Sequence, residues 1–146
     1  MRSFEAATRI DASPEQVWGL LVDVRSWRDW DSGVDRVEGR VALGERLTLY
    51  ATMIRNRPFE VTVTELRPRE AMRWRGGLPF GLAVIERKYS LDAQEDGGTL
   101  LTVREDHTGP LAALLARSTP DLNPSFRQFC NGLKARAEGR TSRPIR

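Results

Sequence analysis

Residues 124–139 read Pro-Ser-Phe-Arg-Gln-Phe-Cys-Asn-Gly-Leu-Lys-Ala-Arg-Ala-Glu-Gly. Phe126, Phe129, Cys130, Leu133 and Ala137 recur at i, i+3, i+4, i+7 and i+11, which lays them on one helical stripe. Gly139 ends the helix. Pro120 and Pro124 forbid a continuous helix from the Leu111, Leu114, Leu115 segment into this one. The terminal helix therefore needs cover for a stripe of two phenylalanines, a thiol and a leucine. The sequence upstream supplies a sheet to provide it.

Phe4, Ala6, Thr8 and Ile10 alternate with polar residues and predict a strand over 2–10. Ser13-Pro14-Glu15-Gln16 follows, with Ser13 as N-cap, Pro14 at the first helical position and Gln16 closing a capping box. Val17, Trp18, Leu20, Leu21 and Val24 then predict a helix over 14–23. Residues 25–33, ending at Gly33, predict a short second helix or turn, with Trp27 and Trp30 on one face. A short strand at 34–39 leads to a turn near Gly44. Leu47, Leu49, Ala51 and Met53 alternate in one long strand, and Phe59, Val61 and Val63 in the next, with Arg55-Asn56-Arg57-Pro58 as their hairpin loop. Pro68 precedes a strand bearing Met72 and Trp74, and Gly76-Gly77 with Pro79 mark a loop. Ala83, Ile85, Tyr89 and Leu91 share a face of a strand at 82–92. The turn Gln94–Gly98 joins it to Thr99–His107, with Leu101 and Val103 facing inward.

The expected fold is α+β: a curved seven-stranded antiparallel sheet wrapped on the long C-terminal helix, with two short helices after the first strand. The space between a bent sheet and one helix is where a small molecule would sit. Residues 1–138 form the expected single domain and 139–146 a disordered basic tail. A chain of 146 residues can bury a core without a staple. Cys130 is the only cysteine, so no intrachain disulfide forms, and a reducing compartment suits the chain. Met1–Ser13 has no apolar run, so no signal peptide is expected, and no stretch approaches a membrane span. The expected location is the cytoplasm.

The formal charge of +3 is misleading. Arg140, Arg143 and Arg146 carry it, which leaves residues 1–138 neutral and nucleic acid a poor partner. No phosphate-binding loop, dinucleotide fingerprint, zinc-protease motif or nucleophile elbow occurs. With one histidine and one cysteine, a metal site would have to rest on carboxylates, so no metal or other cofactor is expected. Self-association into a homodimer stays open.

Several stretches resemble the START/Bet v 1-like (SRPBCC) superfamily, and within it the bacterial polyketide cyclase/dehydrase and lipid-transport proteins. They are Ile10–Trp18, Asp23–Trp30, Met72–Gly76, Gly98–Leu101 with Glu105–Gly109, and Phe126–Glu138. Each is weak alone, but their order over residues 3–138 is specific. The resemblance implies an internal hydrophobic cavity, with binding in many relatives and cyclase, hydratase or lyase chemistry in some. Fold alone does not decide between them.

The Asp96-Gly97 turn predicts the pairs Leu91–Leu101, Tyr89–Val103, Arg87–Glu105 and Ile85–His107. A one-residue slip would invert every face. In this register Arg87, Glu105 and His107 point to the concave side among Trp74, Ile85, Tyr89 and Phe129. Arg87 and Glu105 could equally form a surface ion pair of little consequence. Met53, Val61 and Trp74 are the expected floor, Phe126, Phe129 and Cys130 the lid. Cys130 reads as an inert packed thiol. Trp27 and Trp30 read as anchors for the short helix, and Tyr50 as facing the convex side. The expected function is binding of a lipid or a polyketide-like aromatic metabolite. The alternative is a cyclase/aromatase or hydratase-like enzyme with His107, Glu105 and Arg87 as acid/base groups and Tyr89 beside them.

Overall fold

The computed structural model describes residues 2–52, 57–117 and 119–139. Met53, Arg55 and Asn56, and the tail beyond Gly139, lie outside the described residues. The chain runs β1 (Arg2–Ile10), α1 (Pro14–Val22), a 3-10 helix (Val24–Asp29), β2 (Val34–Glu38), β3 (Arg46–Ala51), β4 (Phe59–Arg67), β5 (Ala71–Leu78), a 3-10 turn (Pro79–Gly81), β6 (Ala83–Ala93), β7 (Thr99–Thr108), α2 (Ala112–Ala116) and α3 (Asn123–Ala137). The strands form one antiparallel sheet in the order β1-β7-β6-β5-β4-β3-β2.

Local chemistry fixes the ends of α1. Ser13 Oγ accepts from the Gln16 amide, and Gln16 Oε1 accepts from the Ser13 amide, so two otherwise orphaned donors are satisfied. Val17 and Leu21 form its buried face. The expected second helix is a single 3-10 segment that buries Val24 and Trp27.

Curvature comes from register breaks. β2 is irregular between Val34 and Arg36, and β4 between Val63 and Glu65. An extra residue at such a place bends the strand and increases its twist. Gly76 and Gly77, expected in a loop, instead continue β5 opposite Ile85 and Val84. The reason is close approach: a Cβ on Gly76 would sit 2.5 Å from the Glu60 carbonyl oxygen. Glycine there lets two bent strands cross tightly where any side chain would part them.

α3 lies across the concave face, against β1 and β7. Its stripe is Phe126, Phe129, Cys130 and Leu133, all buried. Gly132 lets the helix seat, because a Cβ at that position would meet the Asp31 carbonyl oxygen at 2.0 Å. Trp27 and Trp30 are buried against α3 and the sheet. Trp27 stacks on Trp74 at 5.7 Å between ring centroids and meets Phe129 edge-on at 4.8 Å. Burying each such ring contributes roughly 1.5–3 kcal/mol, so this aromatic cluster is the main weld between helix and sheet.

Candidate functional site

A cavity of about 280 Å³ remains between sheet and helix. Leu49, Phe59, Ile85 and Val103 line it from the sheet, and Leu122, Phe126 and Phe129 from the helical side. Ser32, Arg57, Thr119 and Ser125 add polar groups to this largely apolar lining. The main polar cluster is Arg87 and Tyr89 of β6 with Glu105 and His107 of β7, which enter the cavity together.

Antiparallel pairing puts those four side chains on one face. The register of β6 and β7 sets Arg87 opposite Glu105 and Ile85 opposite His107, as the turn chemistry predicts. Arg87 Nε donates to Glu105 Oε1 at 2.8 Å. The other oxygen of the same carboxylate, Oε2, lies 2.9 Å from His107 Nε2. Arg87 Nη1 donates to the Tyr89 hydroxyl at 3.2 Å, and the guanidinium lies 4.9 Å over the Phe126 ring. Phe4 of β1 meets the His107 ring edge-on at 5.3 Å. The Arg87–Glu105 pair is thus no surface ion pair: the Glu105 side chain is 2 % exposed and the Arg87 side chain 14 %.

Burial alone would push the Glu105 carboxyl up. The Arg87 guanidinium and the His107 bond outweigh it and hold that carboxyl below its ordinary range. Burial likewise opposes the Arg87 charge, and Glu105 with Tyr89 more than restores it, so Arg87 stays protonated. Tyr89 goes the other way, with burial raising its pKa despite Arg87. The result is a charged pair and a neutral phenol. Because Glu105 is ionised it accepts, so His107 Nε2 carries the hydrogen between them.

Of the residues expected at the site, Ile85, Arg87, Tyr89, Glu105, His107, Phe126 and Phe129 all line the cavity. Met53 lies outside the described residues. Val61, Trp74 and Cys130 are corrections, since all three are buried but none lines the cavity. Trp74 is covered by Trp27, which also meets Trp30 edge-on, and all three rings are buried. Val61 shares the face of Phe59, but only Phe59, nearer the start of β4, reaches the open end. Cys130 is turned into packing, where burial pushes its thiol up to about 12. That makes it inert at neutral pH. Sequence reasoning did not select Leu115 of α2, or Thr119 and Leu122 of the α2–α3 connection, which also line the cavity. Leu122 directly before the Asn123-Pro124 helix start was the available signal.

The geometry acquires a family from comparison. A model of the polyketide cyclase/dehydrase and lipid transport family matches residues 1–138. The chain belongs to this family. Among solved structures, members of the same fold include the aromatase/cyclase Zhui from Streptomyces sp. R1128, at 16 % identity, TM-score 0.69, with 94 % of this chain and 93 % of that one covered. A START superfamily protein from Mycobacterium smegmatis aligns at 16 % identity, TM-score 0.66, over 94 % and 97 % of the two chains. A hypothetical protein from Helicobacter pylori, jhp0584, aligns at 16 % identity, TM-score 0.71, over 93 % and 88 %. No protein of curated function matches. At these identities the structural likeness speaks for the shared helix-grip, START-like fold alone. Family membership supports a role in apolar-ligand binding or cyclase chemistry in general terms.

Among the described residues there is no group of three or more metal-binding side chains. No helix among them is long and apolar enough to cross a membrane.

Proposed function

We propose that this family member binds one compact apolar or aromatic molecule that carries an oxygen acceptor, such as a carbonyl, phenol or enol oxygen. The observation that carries the reading is Arg87. Among the described residues its guanidinium donates to Glu105 and Tyr89 alone. A guanidinium has five N–H donors, so the rest remain for an oxygen in the cavity. The Tyr89 hydroxyl accepts from Arg87, and its own hydrogen meets no acceptor among the described residues. Apolar walls with a few convergent polar groups fix a ligand's orientation. A volume near 280 Å³ suits a one- or two-ring molecule or a short acyl chain.

A second reading is favoured by the His107–Glu105 contact at 2.9 Å inside the cavity. His107, oriented by Glu105, would take a proton from the carbon beside a ligand carbonyl. The carbonyl oxygen, becoming an enolate, would gain charge where Arg87 and Tyr89 can donate. Return of that proton to a leaving hydroxyl would release water, which is the acid/base requirement of a cyclase or dehydratase.

Native mass spectrometry of the protein purified from its host tests the binding reading. The expected result is a co-purified small molecule at one per chain. A consistently empty protein that shows no saturable uptake of 2-naphthol would contradict it.

A further inference from the structure

Two stretches of the chain are unlike the rest. Neither 76–85 nor 108–116 contains a charged residue, in a chain that is 29 % charged. The fold puts them together: Val84 pairs with Thr108, and the Leu111 amide donates to the Leu82 carbonyl at 2.8 Å. Their union forms one end of the molecule and exposes large apolar side chains. Phe80 is 98 % exposed, Leu114 59 %, and Leu78 and Leu82 are each 39 % exposed. Phe80 also has φ 60°, ψ 25°, a left-handed conformation that a side chain with Cβ adopts at a cost. A strained, bare phenylalanine at the tip of a turn gains nothing for the folded chain itself.

Charge is arranged around this tip. Arg75 precedes the first stretch and Arg117 follows the second, and both are exposed. Arg2 donates to the Ala116 and Thr119 carbonyls beside the second stretch. Nearby, Glu86 pairs with Arg73, Asp106 with Arg104, and Asp121 accepts from the Asn123 amide. Among the described residues neither Arg75 nor Arg117 has an acidic partner, so two unpaired cations flank an apolar centre. Apolar side chains at a turn flanked by unpaired cations match the headgroup–acyl boundary of an anionic bilayer, which deforms around them and needs no matching groove.

We infer that this tip seats the protein on an anionic lipid surface, with Phe80, Leu78, Leu82 and Leu114 entering the headgroup–acyl boundary and Arg75 and Arg117 meeting lipid phosphates. The seat adjoins the cavity, because Leu115 of α2 lines it and Leu114 belongs to the tip.

Co-sedimentation with vesicles of phosphatidylcholine alone or mixed with phosphatidylglycerol tests this on the full chain. The wild type should bind the mixed vesicles, and half-molar salt should weaken that binding. Phe80→Gly should bind about tenfold less, in line with the loss of one inserted aromatic side chain. It should also fold at least as stably, since glycine adopts positive φ freely. Phe80→Asn, tolerant of the same backbone, serves as the second variant. Arg117→Gln should lose affinity for the mixed vesicles only. Uptake of 2-naphthol by Phe80→Gly should be unchanged, which separates this surface from the cavity. A wild type that sediments with neither vesicle overturns the proposal, as does a Phe80→Gly protein that binds like wild type. A Phe80-dependent dimer in a protein that ignores vesicles also overturns it, in favour of a second copy on the tip.

Discussion

Glu105 uses both carboxylate oxygens, one for Arg87 and one for His107, in surroundings that leave its side chain 2 % exposed. Glu105→Gln keeps the shape and removes the charge, which leaves the Arg87 guanidinium buried without a counter-ion. Breaking a buried pair from one side typically costs 3–5 kcal/mol, and urea unfolding should show a loss of that order. A loss below about 1 kcal/mol would mean that the pair is not buried as described. The same pair sets an acid limit. The Glu105 pKa is lowered on folding, so its contribution is full above the unfolded value of about 4.3 and is lost as pH falls through the folded value. Stability should drop below about pH 4.3, more steeply in the wild type than in Glu105→Gln; parallel profiles would contradict this. Arg87, Glu105 and His107 were legible in the sequence because a period of two and one turn fix which residues share a face. Trp74 was misread for a reason that pattern cannot supply. Alternation shows that Trp74 points inward but not that Trp27 lies on top of it. Trp74→Arg should therefore unfold the protein rather than empty the cavity alone.

At the scale of elements, α1, the strands and α3 were legible because each has its own signal. α1 has a capping box, β6 and β7 share a turn that sets their register, and α3 has an apolar stripe. The bulges of β2 and β4 and the continuation of β5 through Gly76-Gly77 were not legible. They depend on how closely two strands approach, and a glycine pair reads locally as a loop. Seating of α3 depends on one atom's width at Gly132. Gly132→Ala places a methyl 2.0 Å from the Asp31 carbonyl oxygen, which is backbone and cannot swing aside. The helix must lift, so the variant should lose several kcal/mol of stability, and the near-ultraviolet signal of the Trp27–Trp30–Phe129 cluster should collapse with it. Near-wild-type stability would show that α3 packs more loosely than described. Ser13→Ala is milder: loss of the cap should cost about 1 kcal/mol in urea unfolding and leave the cavity intact.

For the whole molecule, bent sheet and single helix make an enclosure, and aromatic packing divides it unequally. Trp27, Trp30 and Trp74 are buried together, and Phe59, Phe126 and Phe129 wall the space that stays open. The enclosure could be foreseen from element order; its position and its modest size could not, because both depend on which rings interlock. The central claim is that Arg87 anchors an oxygen of a compact ligand in this space. Calorimetric titration of 2-naphthol and naphthalene into wild type and Arg87→Met tests it most directly, with Glu105 also replaced by Gln in the variant so that no unpaired charge remains. The wild type should show one saturable site that favours 2-naphthol over naphthalene by about tenfold, the order of one charged hydrogen bond. In the variant the two should bind alike. Equal binding of both compounds by the wild type, or a preference that survives the loss of Arg87, would contradict it.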